Sequence, residues 1–234
     1  MIDMHSHCLP FIDDGADSVD TSLKMLEYAK RMGAHTVVAT PHFMSRKNDV
    51  VAFLKKRNSS FLQLSQVIEK EKDKYPRILC GAEVYLGSDI SEMDGLDKLC
   101  YENTNYMLLE LSSSVECTVV SEWIYNLTIN GIKPVIAHID RYEKYGELMA
   151  ELNGMDVIYQ INATRFSGMF SKRAVKSILK CGEYFIVSSD MHNLSSRTFN
   201  MHEALIKAKK YLSDNECNQM FEKCAEKILG SQIS

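Results

Sequence analysis

Short apolar runs alternate with longer stretches of mixed polarity along the chain. Seven runs fall at residues 2–5, 36–40, 77–83, 106–111, 134–138, 157–161 and 184–188. Near-continuous apolar runs of this length suit strands buried on both faces of a parallel sheet. Between them the pattern turns helical. Residues 19–32 predict a helix with Leu23, Leu26 and Met32 in its apolar stripe and Gly33 as its stop. Residues 48–74 predict a longer helix carrying Val51, Leu54, Phe61, Leu64 and Ile68. Further helices are predicted over 117–130, 171–181, 199–212 and 214–229, and the first two of these end at Gly131 and Gly182. Residues 86–100 read as irregular or briefly helical.

This alternation predicts an α/β fold with a parallel sheet. Periodicity alone leaves an open doubly wound sheet and a closed barrel as alternatives. No linker or internal repeat interrupts the pattern, so one domain over 1–234 is expected.

The polar positions sharpen the choice. His5 and His7 end the first run, His42 follows the second, His138 ends the fifth and His192 follows the seventh. Glu83 ends the third run, Glu110 lies near the end of the fourth and Asp190 follows the seventh. One rim of a parallel barrel is where its chemistry collects. Residues i and i+2 of an extended chain point the same way, so His5 and His7 converge, and so do Asp190 and His192. If the sheet closes, the first and seventh strands become neighbours and the two pairs meet.

Imidazole mixed with carboxylate, without thiolate, suits Mn²⁺, Fe²⁺ or Zn²⁺. With Asp14, the candidate ligands are His5, His7, Asp14, His42, Glu83, Glu110, His138, Asp190 and His192. Nine donors exceed one mononuclear site and suit two or three ions with a bridging carboxylate. Such clusters activate water and neutralise phosphoryl oxygens. Arg141 and Arg197, in loops above the same rim, add guanidinium groups suited to bidentate phosphate contact. Together these residues point to phosphate-ester hydrolysis.

Composition removes other classes. The 234 residues carry 27 Lys and Arg against 31 Asp and Glu, a formal net charge of −4, which argues against a nucleic-acid binder. No apolar run approaches the roughly 20 residues of a membrane span. The first residues, Met-Ile-Asp-Met-His, do not form a secretory signal. The seven cysteines are odd in number and form no C-x-x-C pair, so a reducing cytoplasm is expected.

The stretch His5-Ser-His7-Cys-Leu-Pro-Phe-Ile-Asp13-Asp14-Gly15-Ala resembles the opening of the polymerase-and-histidinol-phosphatase (PHP) superfamily. More narrowly, it resembles the manganese-dependent protein-tyrosine phosphatases of Gram-positive capsule and exopolysaccharide operons. The resemblance continues through Ala39-Thr-Pro-His42, Gly81-Ala-Glu83, Leu109-Glu110-Leu, Ala137-His138-Ile-Asp-Arg141-Tyr and Ser189-Asp190-Met-His192. It implies a distorted seven-stranded (β/α) TIM-like barrel, the PHP fold, holding three metals. His5, His7, Glu83 and Asp190 would hold one ion. Glu83 would bridge to a second, with Glu110 and His138. His42 and His192, with Asp14, would hold the third. Arg141 and Arg197 would bind the phosphoryl group. The implied substrate is phosphotyrosine on the tail of a bacterial tyrosine autokinase that controls polysaccharide export. Asp13-Asp14-Gly15, and Glu110 in place of His, separate this branch from the histidinol phosphatases.

Two other readings stand beside it: a small-molecule phosphatase such as histidinol phosphatase, and a metal-binding regulatory module without catalysis. Asp14 is a candidate ligand or general acid, whereas Asp13 reads as a turn-shaping or capping residue. His35 and His202 fall away from the rim and read as structural or solvated. Arg46, Lys47, Lys55, Lys56 and Arg57 could line an approach for an acidic tail, against the default of a solvated helix face. Asn162 reads as a hydrogen-bonding residue at the sixth strand. The sequence leaves the oligomeric state open, a homo-oligomer included.

Overall fold

The computed structural model describes residues 1–230, so residues 231–234 of the expected domain lie outside the described part. The strands are β1 (Ile2–Ser6), β2 (Thr36–Ala39), β3 (His42–Phe43), β4 (Arg77–Cys80), β5 (Glu83–Tyr85), β6 (Tyr106–Glu110), β7 (Lys133–Ile136), β8 (Ile158–Asn162) and β9 (Phe185–Ser188). The helices are α1 (Val19–Arg31), α2 (Val50–Ile68), α3 (Cys117–Ile129), α4 (Tyr145–Glu151), α5 (Ser171–Leu179), α6 (Met201–Ala208), α7 (Asp214–Asn218) and α8 (Cys224–Leu229).

Every strand pairing is parallel. One sheet runs β1-β2-β4 and the other β3-β5-β6-β7-β8-β9. Among the described residues nine strands stand where seven were predicted, because two of the predicted strands continue past a break into a short further strand. Pro41 interrupts the second, which resumes as β3, and Gly81-Ala82 interrupts the third, which resumes as β5. Proline has no N–H to donate to a ladder. At Gly81 a Cβ would come within 3.0 Å of the Tyr101 ring and 3.3 Å of Thr40, so the bend favours a residue without one. The Glu102 N–H donates to the Cys80 carbonyl at 2.7 Å, inserting that segment beside β4.

Closure is direct. The Asp190 N–H donates to the His5 carbonyl, and the His7 N–H to the Met191 carbonyl, both at 2.9 Å. The fold is therefore a distorted (β/α) barrel, and the open-sheet alternative does not hold. Ile2, Met4, Val38, Leu79, Leu108, Val135, Ile158 and Ile186 form an inner cluster, joined by Ala225, Ile228 and Leu229 of α8. A larger cluster lies between the strands and the surrounding helices.

The helix ends follow local chemistry. Ser18 caps α1, its hydroxyl accepting from the Thr21 N–H at 3.1 Å, and Asp49 caps α2 through the Ala52 N–H at 2.8 Å. Several predicted spans shorten or split. The 48–74 helix ends at Ile68 and is followed by a separate turn over Lys72–Lys74. The 199–212 helix contracts to α6, and the 214–229 helix carries a wide, π-type turn over Gln219–Lys223 between α7 and α8. The pattern also hid α4, which has only seven residues.

Candidate metal centre

All nine predicted donors converge at the C-terminal rim. His5 lies within β1 and His7 just beyond it, and both rings are buried. Their Nε2 atoms are 3.2 Å apart. Both face Glu83 Oε2 at 3.2 Å, and Asp190 Oδ1 lies 3.5 Å from His5 Nε2 and 3.6 Å from His7 Nε2. Glu83, buried at the start of β5, sits at the middle of the cluster. His42 Nδ1 lies 3.0 Å from its Oε2, and His138 Nε2 lies 3.0 Å from its Oε1. Glu110 reaches the same two rings at 3.7 and 3.8 Å. Asp14 Oδ1 lies 3.5 Å from Nε2 of both His42 and His192.

Among the described residues, three subsets can each gather their donor atoms around one point. They are His7, Asp14, His42 and His192; His5, His7 and Asp190; and His42, Glu83 and Glu110. The expected grouping differs in three respects: His7 also reaches the subset built on Asp14, His42 and His192, Glu83 is not in the subset of His5, His7 and Asp190, and His42 stands where His138 was expected beside Glu83 and Glu110. Three buried atoms in the cluster have no hydrogen-bond partner: His42 Nδ1, Glu83 Oε2 and His192 Nε2. Buried polar atoms are rarely left this way. Imidazole nitrogens and carboxylate oxygens turned toward one another, with three unsatisfied, fit a set of divalent cations in both chemistry and spacing.

The electrostatics agree. Burial opposes ionisation of Glu83, but the charge of His5 and the hydrogen bond to His138 outweigh it and hold its carboxyl well below the usual range. Glu110 moves the opposite way, raised by burial and by the charge on Glu83. Burial disfavours the charged form of His7, yet Asp13 and Glu83 overcome this and push it up to about 10. His192 is pushed down to about 4 by burial and by the charge on His7. Asp190 is depressed despite burial, through the charges of His5, Arg141, His7 and Arg197. Two of these residues, His138 and Asp190, also take left-handed backbone conformations, at φ of 30° and 54°. Such strain collects at functional sites.

The two predicted arginines stand at the opening. Arg141 Nη2 donates to Asp190 Oδ2 at 2.5 Å, and Arg197 Nη2 donates to both Asp190 oxygens at 2.9 Å. Arg197 Nη1 lies 3.8 Å from Asp14 Oδ2. Arg141 remains 48% exposed and Arg197 35%, so each keeps donors free toward the mouth.

Sequence reasoning missed the supporting residues. Asp13 does shape a turn by accepting from the Gly15 N–H at 3.0 Å. It also faces His7 Nδ1 at 2.8 Å and accepts from the His42 backbone N–H at 3.0 Å, so one carboxylate orients the His7 ring and anchors the backbone of His42. Burial opposes its ionisation, but His7 holds it down to about 2. Gln160 Oε1 lies 3.1 Å from His5 Nδ1 and accepts from the His138 N–H at 2.6 Å. Its signal was an amide inside the otherwise apolar run 157–161. Gln160 donates to Asn162 Oδ1, and Asn162 donates to Asp190 Oδ2 at 3.1 Å, as expected of a hydrogen-bonding residue there.

The suggested basic approach needs correction at Arg57. It is buried and donates to the Gly81 and Lys98 carbonyls at 2.9 and 3.0 Å, so it pins α2 to the barrel. Lys56 is likewise engaged, donating to the Ile12 carbonyl at 2.8 Å. His35 lies 2.5 Å from Glu222 at the opposite end, and His202 is exposed on α6.

Comparison with known proteins agrees with this geometry. Residues 1–230 match the family described as Capsular polysaccharide synthesis, CpsB/CapC. The chain is 32% identical to tyrosine-protein phosphatase CpsB of Streptococcus pneumoniae, with the whole of both chains covered. It is 30% identical to tyrosine-protein phosphatase YwqE of Bacillus subtilis, over 99% of this chain and 92% of that one. A crystal structure from work on YwqE of Bacillus subtilis and CpsB of Streptococcus pneumoniae, described as unique metal-dependent tyrosine phosphatases, superposes with a TM-score of 0.82. That match has 26% identity and covers 97% of this chain and 93% of the other. Histidinol phosphate phosphatase of Lactococcus lactis shares the fold, at a TM-score of 0.58 and 15% identity over 90% of this chain and 94% of that one. This chain belongs to the CpsB/CapC family of capsular polysaccharide synthesis.

Proposed function

We propose that this chain is a metal-dependent protein-tyrosine phosphatase that hydrolyses phosphotyrosine on protein. Its substrate would be the tail of a bacterial tyrosine autokinase regulating capsular or exopolysaccharide synthesis, in the cytoplasm. The observation that carries the reading is the buried Glu83 carboxylate shared by four imidazoles, with unpartnered donor atoms around it and two half-exposed guanidinium groups above. His5, His7, Asp14, His42, Glu83, Glu110, His138, Asp190 and His192 would hold two or three ions. Mn²⁺ is the ion proposed, with Fe or Zn as substitutes that this donor set also accepts.

When bound, the cations supply an activated water nucleophile and neutralise the phosphoryl oxygens. The chain does the rest. Arg141 and Arg197 grip the phosphoryl oxygens with the donors not given to Asp190, and stabilise the charge that grows there in the transition state. Asp13, Gln160 and Asn162 fix the rings and the Asp190 carboxylate, so little reorganisation accompanies reaction. Asp14, the most exposed acid of the cluster, would be an ionised ligand in this arrangement, so the departing phenolate takes its proton from water at the mouth. A phenol of pKa about 10 leaves readily, so this proton matters less than it would for an alkyl ester.

Metal analysis paired with p-nitrophenyl phosphate hydrolysis, before and after chelation, tests the reading. Loss of turnover on chelation and its return with Mn²⁺ are expected. A reconstituted protein that turns over histidinol phosphate faster than a phosphotyrosine peptide would move the assignment to the small-molecule reading. An inert reconstituted protein would leave a binding module.

A further inference from the structure

The β8–α5 connection leaves the metal centre directly, because Asn162 at its start donates to Asp190. Phe166 anchors this connection in the core, with its ring 5.7 Å from that of Phe221, and Lys207 Nζ donates to Ser167 Oγ at 2.9 Å. Beyond these anchors the chain exposes Met169 by 91% and Phe170 by 75%, and Met169 is the most exposed large hydrophobic side chain among the described residues. Four cations follow on the outer face of α5 and at its end: Lys172, Arg173, Lys176 and Lys180. With Met169, Phe170 and Ser177 they line an open groove of about 510 Å³.

These cations form no ion pairs. Among the described residues none of the four lies within ion-pair distance of a carboxylate, whereas Lys24, Lys72, Lys133, Lys144 and Lys223 all do. Glu216, whose charge reaches Lys176, already accepts from the Ser213 N–H and hydroxyl. Arg165, in the same connection, has a buried Nε with no hydrogen-bond partner. In a chain of net charge −4, this is a local concentration of positive charge facing outward. Such a patch attracts anionic partners and suppresses cationic ones.

We propose that this groove docks an acidic segment of the protein substrate, rich in Asp and Glu, that lies near the phosphotyrosine in sequence. The proposal rests on the phosphatase reading above and adds the substrate feature recognised outside the metal centre. Met169 and Phe170 give the segment an apolar foothold at the rim end, and the cations of α5 follow its carboxylates down the flank. The apolar stripe of α5, Val175 and Ile178, is buried against the barrel, so the helix has no second apolar face to lay into a lipid surface. The surface is also concave, which suits a chain better than a bilayer. An extended peptide of ten residues spans about 33 Å, enough to reach from the metal centre to a neighbouring barrel helix.

The test uses the full-length protein loaded with Mn²⁺ and two phosphotyrosine peptides. One carries a Glu/Asp block within ten residues of the phosphotyrosine, and the other carries Gln and Asn in its place. The acidic peptide should show a kcat/KM roughly tenfold higher, expressed mainly in KM and lost in about 0.5 M salt. In Lys172→Glu/Lys176→Glu the preference should vanish, while p-nitrophenyl phosphate turnover stays at the wild-type rate. Met169→Ser/Phe170→Ser should reduce the preference and also spare p-nitrophenyl phosphate.

Fluorescence anisotropy of the unphosphorylated acidic peptide tests the groove without catalysis, so failure of the phosphatase reading is distinguishable from failure of docking. Binding that weakens about tenfold in the charge-reversed variant supports the groove. Equal kcat/KM for the two peptides, or charge reversal that slows both alike, overturns it. Binding of the wild type to phosphatidylserine vesicles, without any preference between peptides, overturns it in favour of a membrane surface.

Discussion

At the floor of the barrel, His35 Nε2 lies 2.5 Å from Glu222 Oε1, and the Met1 amino group lies 3.1 Å from Glu222 Oε2. Each of these three groups has a partner, and the cluster ties the strand ends to the turn between α7 and α8. At the rim, His5, His7, His42 and His138 all turn toward one buried Glu83, and three ring or carboxylate atoms stay unpartnered. The two ends use the same side-chain types. They differ in how many donors share one acceptor and in whether water reaches them. A satisfied surface pair contributes about 0–1 kcal/mol and serves the fold. A buried, over-subscribed carboxylate contributes little to folding by itself and is readied for a ligand.

The sharpest way to break this contrast is Glu83→Gln. Removing the shared charge should lower bound metal by at least one ion per chain and reduce p-nitrophenyl phosphate turnover by more than about 10²-fold, beyond the loss usual for residues that merely orient ligands. Elemental analysis beside the assay checks both, and full metal content would refute the central place given to Glu83.

Arg141→Ala should lower kcat/KM by roughly 10²-fold, on the scale of losing one oxyanion donor, with metal content intact. Near-normal turnover removes Arg141 from phosphoryl binding. Asp13→Ala should weaken metal affinity by about 10- to 100-fold, because the His7 ring loses its orienting carboxylate and the His42 backbone its anchor. Titration of Mn²⁺ into the apo protein reads this directly, and excess Mn²⁺ should restore most of the activity. Unchanged affinity would return Asp13 to a turn-shaping role alone.

The smallest effect belongs to the floor. Burial opposes ionisation of Glu222, but His35 and the Met1 amino group outweigh it and hold its carboxyl below the ordinary value of 4.5. A depressed carboxyl adds stability above its unfolded pKa, and this is lost as pH falls through the folded pKa. Thermal melts should therefore show wild type losing stability more steeply than Glu222→Gln below about pH 4.5, with equal phosphatase activity near neutrality. Identical acid limbs would show the pair to be energetically idle.

Much of the site was legible because strand geometry is local. The i, i+2 spacing sends His5 and His7 to one side, and parallel βα units bring strand ends to one rim. Asp13 was half legible: its turn followed from Asp-Asp-Gly, but its hold on His7 and His42 depends on a loop folding back over β1. Arg57 was misplaced because helical spacing cannot say which polar residues are drawn inward to backbone carbonyls. The split of the 48–74 helix turned on tertiary contacts in the same way, as did the hidden α4. The cations of α5 gave no signal on their own, since a charged helix face becomes informative only when its neighbours are seen to leave it without ion pairs.

By itself, the sequence determined the alternation of strand and helix, the side-chain types placed at the strand ends, and membership of a capsule-synthesis family through its motifs. Those depend on residues close along the chain, where backbone geometry fixes direction. Closure between β1 and β9, the meeting of four imidazoles on Glu83, the two arginines over Asp190 and the basic flank without ion pairs were decided only by the tertiary structure. They depend on distances between segments far apart in the chain, which barrel closure and packing set together.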